Sequence, residues 1–147
     1  MLYVKEYIFR GRRRARGKER RITLLVTLCA AVILLVAADL ISKAAAVSVL
    51  SQTGGALEFI PGLIRFEYHK NTGMAWGLFS NATWIFVVIT IVTGGLIVFI
   101  LLKTLKTMPR NLQLGLALVL SGAIGNLIDR VALGYVRDFI AFDCGEP

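Results

Sequence analysis

Apolar residues are concentrated in three long runs, at residues 22–38, 84–102 and 112–128. Each run approaches the roughly 20 residues that a helix needs to cross the hydrocarbon of a bilayer. The first run is too long for the core of a cleaved signal peptide, and Asp39 and Lys43 follow it rather than a cleavage site. The pattern therefore predicts a mainly α-helical, polytopic membrane protein with spans at about 22–40, 84–102 and 112–128.

The segment at about 41–83, between the first two predicted spans, has a different pattern. Ile64, Phe66 and Tyr68 alternate with polar residues, which is the period of two that a half-buried strand shows. Turns are indicated by the dipeptides at 54–55 (Gly-Gly) and 61–62 (Pro-Gly). The sequence predicts a small β-subdomain here, on the outer surface of the membrane.

The charge is distributed unevenly along the chain and sets the predicted orientation. Of the 17 basic residues in this chain of net charge +8, nine lie in residues 1–21, so the remainder is close to neutral. A basic arm before an apolar run favours the cytoplasmic side, and so does the short loop that carries Lys103, Lys106 and Arg110. The sequence therefore predicts two parts, a basic cytoplasmic arm at residues 1–21 and a membrane domain at 22–147, with the N-terminus in the cytoplasm. No aromatic or helix-turn-helix pattern accompanies the basic stretch RGRRRARGKERR at 10–21, so nucleic acid is not expected as a partner.

Composition agrees with a membrane protein, because 56% of the 147 residues are hydrophobic and the mean hydropathy is +0.71. The two cysteines, Cys29 and Cys144, have neither the spacing of a metal site nor positions that suit a disulfide.

Several polar residues flank the apolar runs. Asp39 and Lys43 are four residues apart and can pair on one helix face, where they are expected to cap the outer end of the first helix. That pair is either an interfacial ion pair or a support for polar groups elsewhere. Asn126 and Asp129 share a helix face, and Arg130 is expected to neutralise the acid. The glycines at 122 and 125 are expected to allow close helix packing.

Asp138 is the candidate for acid–base chemistry. In an extended segment it shares a face with Val136, Ile140 and Phe142, and an acid on an apolar face is expected to have a raised pKa. Peptide hydrolysis by aspartate requires a second carboxylate nearby. Asp143 would lie on the opposite face of a strand, so the chain offers no convincing local pair.

Four motifs resemble those of signal peptidase II, the lipoprotein signal peptidase of bacteria. They are DLISK at 39–43, NTGMAWG at 71–77, GAIGNLIDR at 122–130 and GYVRDF at 134–139, in the family's order and spacing. The resemblance implies an aspartic peptidase of the bacterial inner membrane that needs no metal or cofactor. Members of the family are expected to have four helices, a β-cradle between the first two, and both termini in the cytoplasm.

The resemblance also implies roles for individual residues and partners. Asp138 matches the first catalytic aspartate. The expected partners are a phospholipid membrane and prolipoprotein signal peptides with a diacylglyceryl-modified cysteine, cut near the outer face. The residues that match those shaping the site or contacting substrate are Asp39, Lys43, Asn71, Gly73, Asn126, Asp129 and Arg130.

The sequence departs from the family pattern at two places. The basic arm is longer than usual, and the F-N-x-A-D motif that carries the family's second catalytic aspartate, on a fourth helix, is not in these 147 residues. A truncated peptidase sequence is therefore expected. The alternatives are a non-catalytic membrane protein that binds lipidated signal peptides, and a small scaffold or transporter-like subunit.

Overall fold

The computed structural model describes residues 2–73 and 83–142, with side chains from Lys18 onward. It contains three helices: α1 (Leu2–Gln52), α2 (Thr83–Thr104) and α3 (Arg110–Leu133). It also contains three strands: β1 (Ala56–Ile60), β2 (Ile64–Asn71) and β3 (Val136–Phe142). Three segments, Lys18–Gln52, Thr83–Thr104 and Arg110–Leu133, are long and apolar enough to cross a membrane. The expected mainly helical protein with three spans and a small β-subdomain is thus confirmed.

Helix α1 continues well beyond the end of its apolar run. Residues 41–52, which the hydropathy pattern placed in the β-segment, are helical. They include three consecutive alanines at 44–46 and neither glycine nor proline, so nothing in their composition stops a helix. The helix ends only where Gly54 and Gly55 adopt φ of 82° and 99°, with the N–H of Gly55 donating to the carbonyl of Leu50. Asp39 and Lys43 therefore lie inside α1 and do not cap its end as expected.

The strands form one antiparallel sheet in the order β1-β2-β3. Its third strand follows α3, so the sheet joins the segment before α2 to the segment after α3 and is not confined to the region between the first two spans. Gly134, with φ of 83°, caps α3 through an N–H bond to the carbonyl of Arg130 and turns the chain into β3.

A bulge on β2 lies next to the candidate acid–base residue. Phe66 pairs with Ile140 and His69 pairs with Asp138, so β2 has one more residue than β3 in this interval. Bulges re-aim the side chains beside them. Below the bulge, Asn71 pairs with Val136 and shares a face of the sheet with Asp138.

Helix α3 lies at the centre of the bundle, and α1 and α2 pack mainly against it. The buried apolar residues near this contact are Leu101, Leu105, Ala117 and Leu120. Many other large apolar side chains of the helices are exposed, as expected for surfaces that face lipid. The sheet lies against the C-terminal end of α1, and the α2–α3 loop lies at the other end of the bundle.

Candidate functional site

The site is built around Lys43, whose side chain is almost fully buried between α1 and α3. Its Nζ donates to Oδ2 of Asp39 at 2.8 Å and to Oδ1 of Asn126 at 2.8 Å. It also lies 3.6 Å from Oδ2 of Asp129. The expected Asp39–Lys43 pair is present, and Lys43 extends it to α3, which favours the interpretation as a support for other polar groups.

Asp129 is the most deeply buried charged residue of the site, at 1% exposure. Oδ1 accepts two hydrogen bonds from the Arg137 guanidinium, at 2.7 and 3.1 Å, and Oδ2 accepts the backbone N–H of Arg137 at 3.1 Å. These bonds raise the pKa of Arg137 above its ordinary value, so the guanidinium stays charged. Asp129 therefore fixes the start of β3 to the end of α3 and, through Lys43, to α1.

Arg137 is the residue that the sequence reasoning missed, and it takes the role expected of Arg130. The Arg130 guanidinium lies 5.2 Å from the centre of the Phe86 ring, and its Nε is buried without a hydrogen-bond partner among the described residues. Arg130 thus forms no ion pair with Asp129 among the described residues, although its charge lies close enough to interact with both Asp138 and Asp129. The sequence did contain an indication of this role, because Arg137 directly precedes Asp138 and only a short turn with a glycine separates it from α3.

Close contact between α1 and α3 depends on Gly125. A Cβ atom at this position would lie 2.8 Å from Cγ of Asp39 and closer still to its Oδ2. Any side chain there would displace Asp39 and with it the ion pair to Lys43. Gly122 does not share this role, because a Cβ there would meet no described atom within 4 Å.

Asp138 is held at the junction of the sheet and the helices. Its Oδ2 accepts a hydrogen bond from Nδ2 of Asn71 at 2.8 Å. Oδ1 of Asn71 in turn accepts the backbone N–H of Gly73 at 3.0 Å. This second bond fixes the amide so that its NH₂ group points at Asp138. These two hydrogen bonds connect Asn71, Gly73 and Asp138. The separate sequence motifs that contain these residues did not reveal the connection.

The face of β3 that carries Asp138 is only partly covered. Val136 is buried at 3% exposure, whereas Ile140 and Phe142 are 54% and 70% exposed. Most of the apolar side chains on this face, Ile140 and Phe142, are therefore exposed and do not cover Asp138. The carboxylate of Asp138 lies between a buried polar cluster on one side and exposed apolar side chains on the other.

No described carboxylate is placed to form a pair with Asp138. Among the described acids near the site, Asp129 is bonded to Arg137 and Asp39 to Lys43. The expected position of Asp143 lies outside the described residues. Within residues 2–73 and 83–142, no group of three His, Cys, Asp or Glu side chains could hold a metal ion.

Comparison with known proteins adds three findings. The sequence profile of the family described as signal peptidase (SPase) II matches residues 31–146. A lipoprotein signal peptidase of Enterococcus faecalis is 43% identical over 110 residues, covering 75% of this chain and 67% of its own. One from Streptococcus pyogenes is 42% identical over 114 residues, covering 76% and 72%.

Solved structures resemble the fold as well. Two bacterial membrane enzymes, determined by the in meso method at 2.3 and 1.9 Å resolution, are 32% identical to this chain with TM-scores of 0.63 and 0.61. The match covers 80% of this chain and 71% and 75% of theirs. The profile match begins at residue 31, so the basic arm lies outside it.

Proposed function

The chain belongs to the signal peptidase II family of membrane peptidases, and on that premise we propose that it cleaves signal peptides from diacylglyceryl-modified prolipoproteins, with Asp138 as one of two catalytic carboxylates. The observation that carries this proposal is the Asn71–Asp138 hydrogen bond of 2.8 Å at the open junction of sheet and helices. An ionisable group fixed in position, beside the membrane and open to substrate, is what general acid–base catalysis requires.

The hydrogen-bonding pattern assigns different tasks to the two oxygens of Asp138. Oδ2 is occupied by the amide of Asn71, which orients the carboxylate. Oδ1 then takes a proton from the attacking water, while the second carboxylate protonates the leaving amine. Asn71 acts as a positioning residue in this scheme, because it touches Asp138 rather than the peptide.

The Lys43 and Asp129 cluster supports the site without taking part in the chemistry. Its charges are paired with each other, since Asp39 and Asp129 carry two negative charges and Lys43 and Arg137 two positive ones. A neutral cluster of this kind fixes α1, α3 and β3 together. The backbone of β3 next to Asp138 is therefore held by the same bonds that stabilise the helix contact.

The exposed apolar side chains of the sheet suit a lipid-modified substrate. Ile140 is 54% exposed and Phe142 is 70% exposed, and both lie on the face of β3 that carries Asp138. Apolar surface of this kind beside a membrane favours contact with lipid chains. We assign this surface to the diacylglyceryl group of the substrate, which places the modified cysteine near Asp138.

The second catalytic carboxylate comes from outside the described residues. This follows from the pairing of Asp39 and Asp129 with cations, which leaves neither free to share a proton with Asp138. In the family that the sequence resembles, this second carboxylate belongs to an F-N-x-A-D motif.

The test is cleavage of a prolipoprotein by the complete gene product, expressed in a bacterial strain without its own enzyme of this family. Asp138→Asn should reduce cleavage by at least roughly 1000-fold while the protein still accumulates in the membrane. The matched control is Glu67→Gln, which also removes a carboxylate from the sheet but lies in an exposed pair with Arg65. Near-normal cleavage by Asp138→Asn would contradict the assignment.

The same assay distinguishes a peptidase from the alternative, a membrane protein that binds lipidated signal peptides without cleaving them. A binding protein is favoured by the observation that the described hydrogen-bond partner of Asp138 is an amide and not a second carboxylate. It predicts that the unmodified gene product retains a lipidated signal peptide without cleaving it. In that case Asp138→Asn would alter retention at most, and the peptidase proposal would be abandoned.

A further inference from the structure

A pocket lies at the end of the bundle opposite to Asp138. It has a volume of about 180 Å³ and is lined by Arg20 from α1, Lys106 from the α2–α3 loop and Arg110 from the start of α3. None of the three cations forms an ion pair with a carboxylate among the described residues. Three elements thus bring three positive charges to one cavity at the boundary of the apolar helices.

An apolar groove begins where this pocket ends. It has a volume of about 260 Å³ and lies between α1 and the C-terminal part of α2, with α3 beneath it. Its lining runs along α1 from Leu25 to Ile33 and from Val98 of α2 to Leu105 just beyond that helix, and includes Ala117 and Leu120 of α3. No polar atom contributes to its exposed lining. Leu105 lines both cavities, so the basic pocket and the groove adjoin each other.

We propose that the pocket and groove bind one anionic phospholipid, with its phosphate among Arg20, Lys106 and Arg110 and an acyl chain in the groove. The order of the two cavities along α1 matches the order of headgroup and chain in a lipid. From Arg20 to Ile33 the helix rises about 20 Å, enough to pass through one leaflet of a hydrocarbon core of roughly 30 Å. Basic pockets between membrane helices are suited to anionic headgroups.

A phospholipid explains both cavities, whereas a soluble anion explains only one. A free phosphate would be attracted by the three cations but would leave the apolar groove unfilled. A lipid chain also covers the gap between α1 and α2, which pack mainly on α3 and little on each other. The bound lipid is therefore expected to stabilise the position of α1 relative to α2. This inference does not depend on the peptidase activity proposed for Asp138.

The test compares two triple variants with the same loss of charge, purified in a neutral detergent. Arg20→Gln/Lys106→Gln/Arg110→Gln removes the pocket cations. Its control, Lys18→Gln/Arg21→Gln/Lys103→Gln, removes three cations at the same end of the bundle that do not line the pocket. Native mass spectrometry counts bound dioleoyl phosphatidylglycerol, with dioleoyl phosphatidylcholine as the zwitterionic comparison.

We expect the unmodified protein to hold one phosphatidylglycerol with at least roughly 10-fold preference over phosphatidylcholine. The pocket variant should lose that preference and the control variant should keep it. Equal losses in both variants would mean non-specific attraction to net charge and would overturn the proposal. Displacement of the lipid by soluble glycerol 3-phosphate at similar concentration would also overturn it, because the groove would then contribute nothing.

A second pair of variants tests the groove alone. Cys29→Trp fills the groove, because Cys29 is one of its lining residues. Val26→Trp adds the same side chain to a position of α1 that is 62% exposed and outside the groove. Phosphatidylglycerol binding should weaken about 10-fold in the first variant only. Equal binding by the two variants would remove the acyl-chain site.

Discussion

At the residue scale, the bonds of Asp129 explain why a charged side chain can be buried to 1% exposure in this protein. A carboxylate removed from water is costly unless its oxygens are bonded to a cation. Asp129 has Arg137 on one side and Lys43 on the other. The three side chains come from β3, α3 and α1, so one ionic cluster connects the three elements around the site.

We expect Asp129→Asn to lower the free energy of unfolding by about 3–5 kcal/mol, because it leaves Arg137 without its anion. Asp39→Asn should cost less, since the side chain of Asp39 is 28% exposed and water can replace part of its bond. Thermal unfolding in detergent measures both. Adding Arg137→Gln to Asp129→Asn should cost much less than the sum of the two single changes. Additive losses would show that the two side chains do not interact.

Asn71 provides a prediction for the catalytic proposal at the same scale. Asn71→Ala should reduce kcat for prolipoprotein cleavage by roughly 10- to 100-fold and change KM little, because the residue orients Asp138 but does not touch the peptide. The measurement is a steady-state assay on the complete gene product. A change confined to KM would instead make Asn71 a substrate-binding residue.

At the scale of secondary structure, two features place the site: the continuation of α1 to Gln52 and the close approach of α1 to α3. The extended α1 brings Lys43 alongside Asn126 and leaves its final turns to support the sheet. Close approach requires a residue without a side chain opposite Asp39, and Gly125 supplies it. Gly125 continues a buried stripe of small residues on α3 that also contains Ala117 and Ser121, at a spacing of four residues.

Two glycine substitutions in α3 should have opposite effects. Gly125→Ala inserts a methyl group against Asp39 and should cost about 1–3 kcal/mol of folding free energy. Gly122→Ala meets no described atom within 4 Å and should be neutral or stabilising by up to about 1 kcal/mol, because alanine favours helix. Melting temperatures of the two purified variants check this. Equal effects of both changes would contradict the proposed helix contact.

At the scale of the whole molecule, opposite ends of the bundle carry different chemistry. The sheet and Asp138 lie at one end, and the basic α2–α3 loop with Lys106 and Arg110 lies at the other. Cationic loops remain on the cytoplasmic side of bacterial membranes. We therefore propose that the sheet faces outward in the inner membrane, where a lipid-modified signal peptide emerges.

Cysteine labelling tests this orientation. Cys29 and Cys144 are first replaced by alanine, and a single cysteine is then introduced at Phe59 on the sheet or at Lys106 in the loop. A membrane-impermeant maleimide should label Phe59→Cys in intact spheroplasts and Lys106→Cys only after the membrane is opened. The reverse pattern would invert the topology and remove the assignment of an outward-facing site.

Patterns in the sequence identified the three spans, strand β2 and several residues of the candidate site. Apolar run length identified the spans, because a helix must match the thickness of the hydrocarbon. Alternation identified β2, because neighbouring strand residues face opposite sides. Four motifs brought attention to Asp138, Asn71 and the residues around Asp129, and they indicated the family before any contact was known.

Which of these residues meet depends on how the chain packs in three dimensions. Lys43 and Asn126 are 83 positions apart, and Asn71 and Asp138 are 67 apart, so no local spacing rule could pair them. The partner of Asp129 proved to be Arg137 rather than the adjacent Arg130, because the turn at Gly134 folds β3 back onto the end of α3. Hydropathy indicates whether a segment prefers lipid or water. Which charges pair depends instead on which distant segments come together, and that is settled only when the helices and the sheet pack.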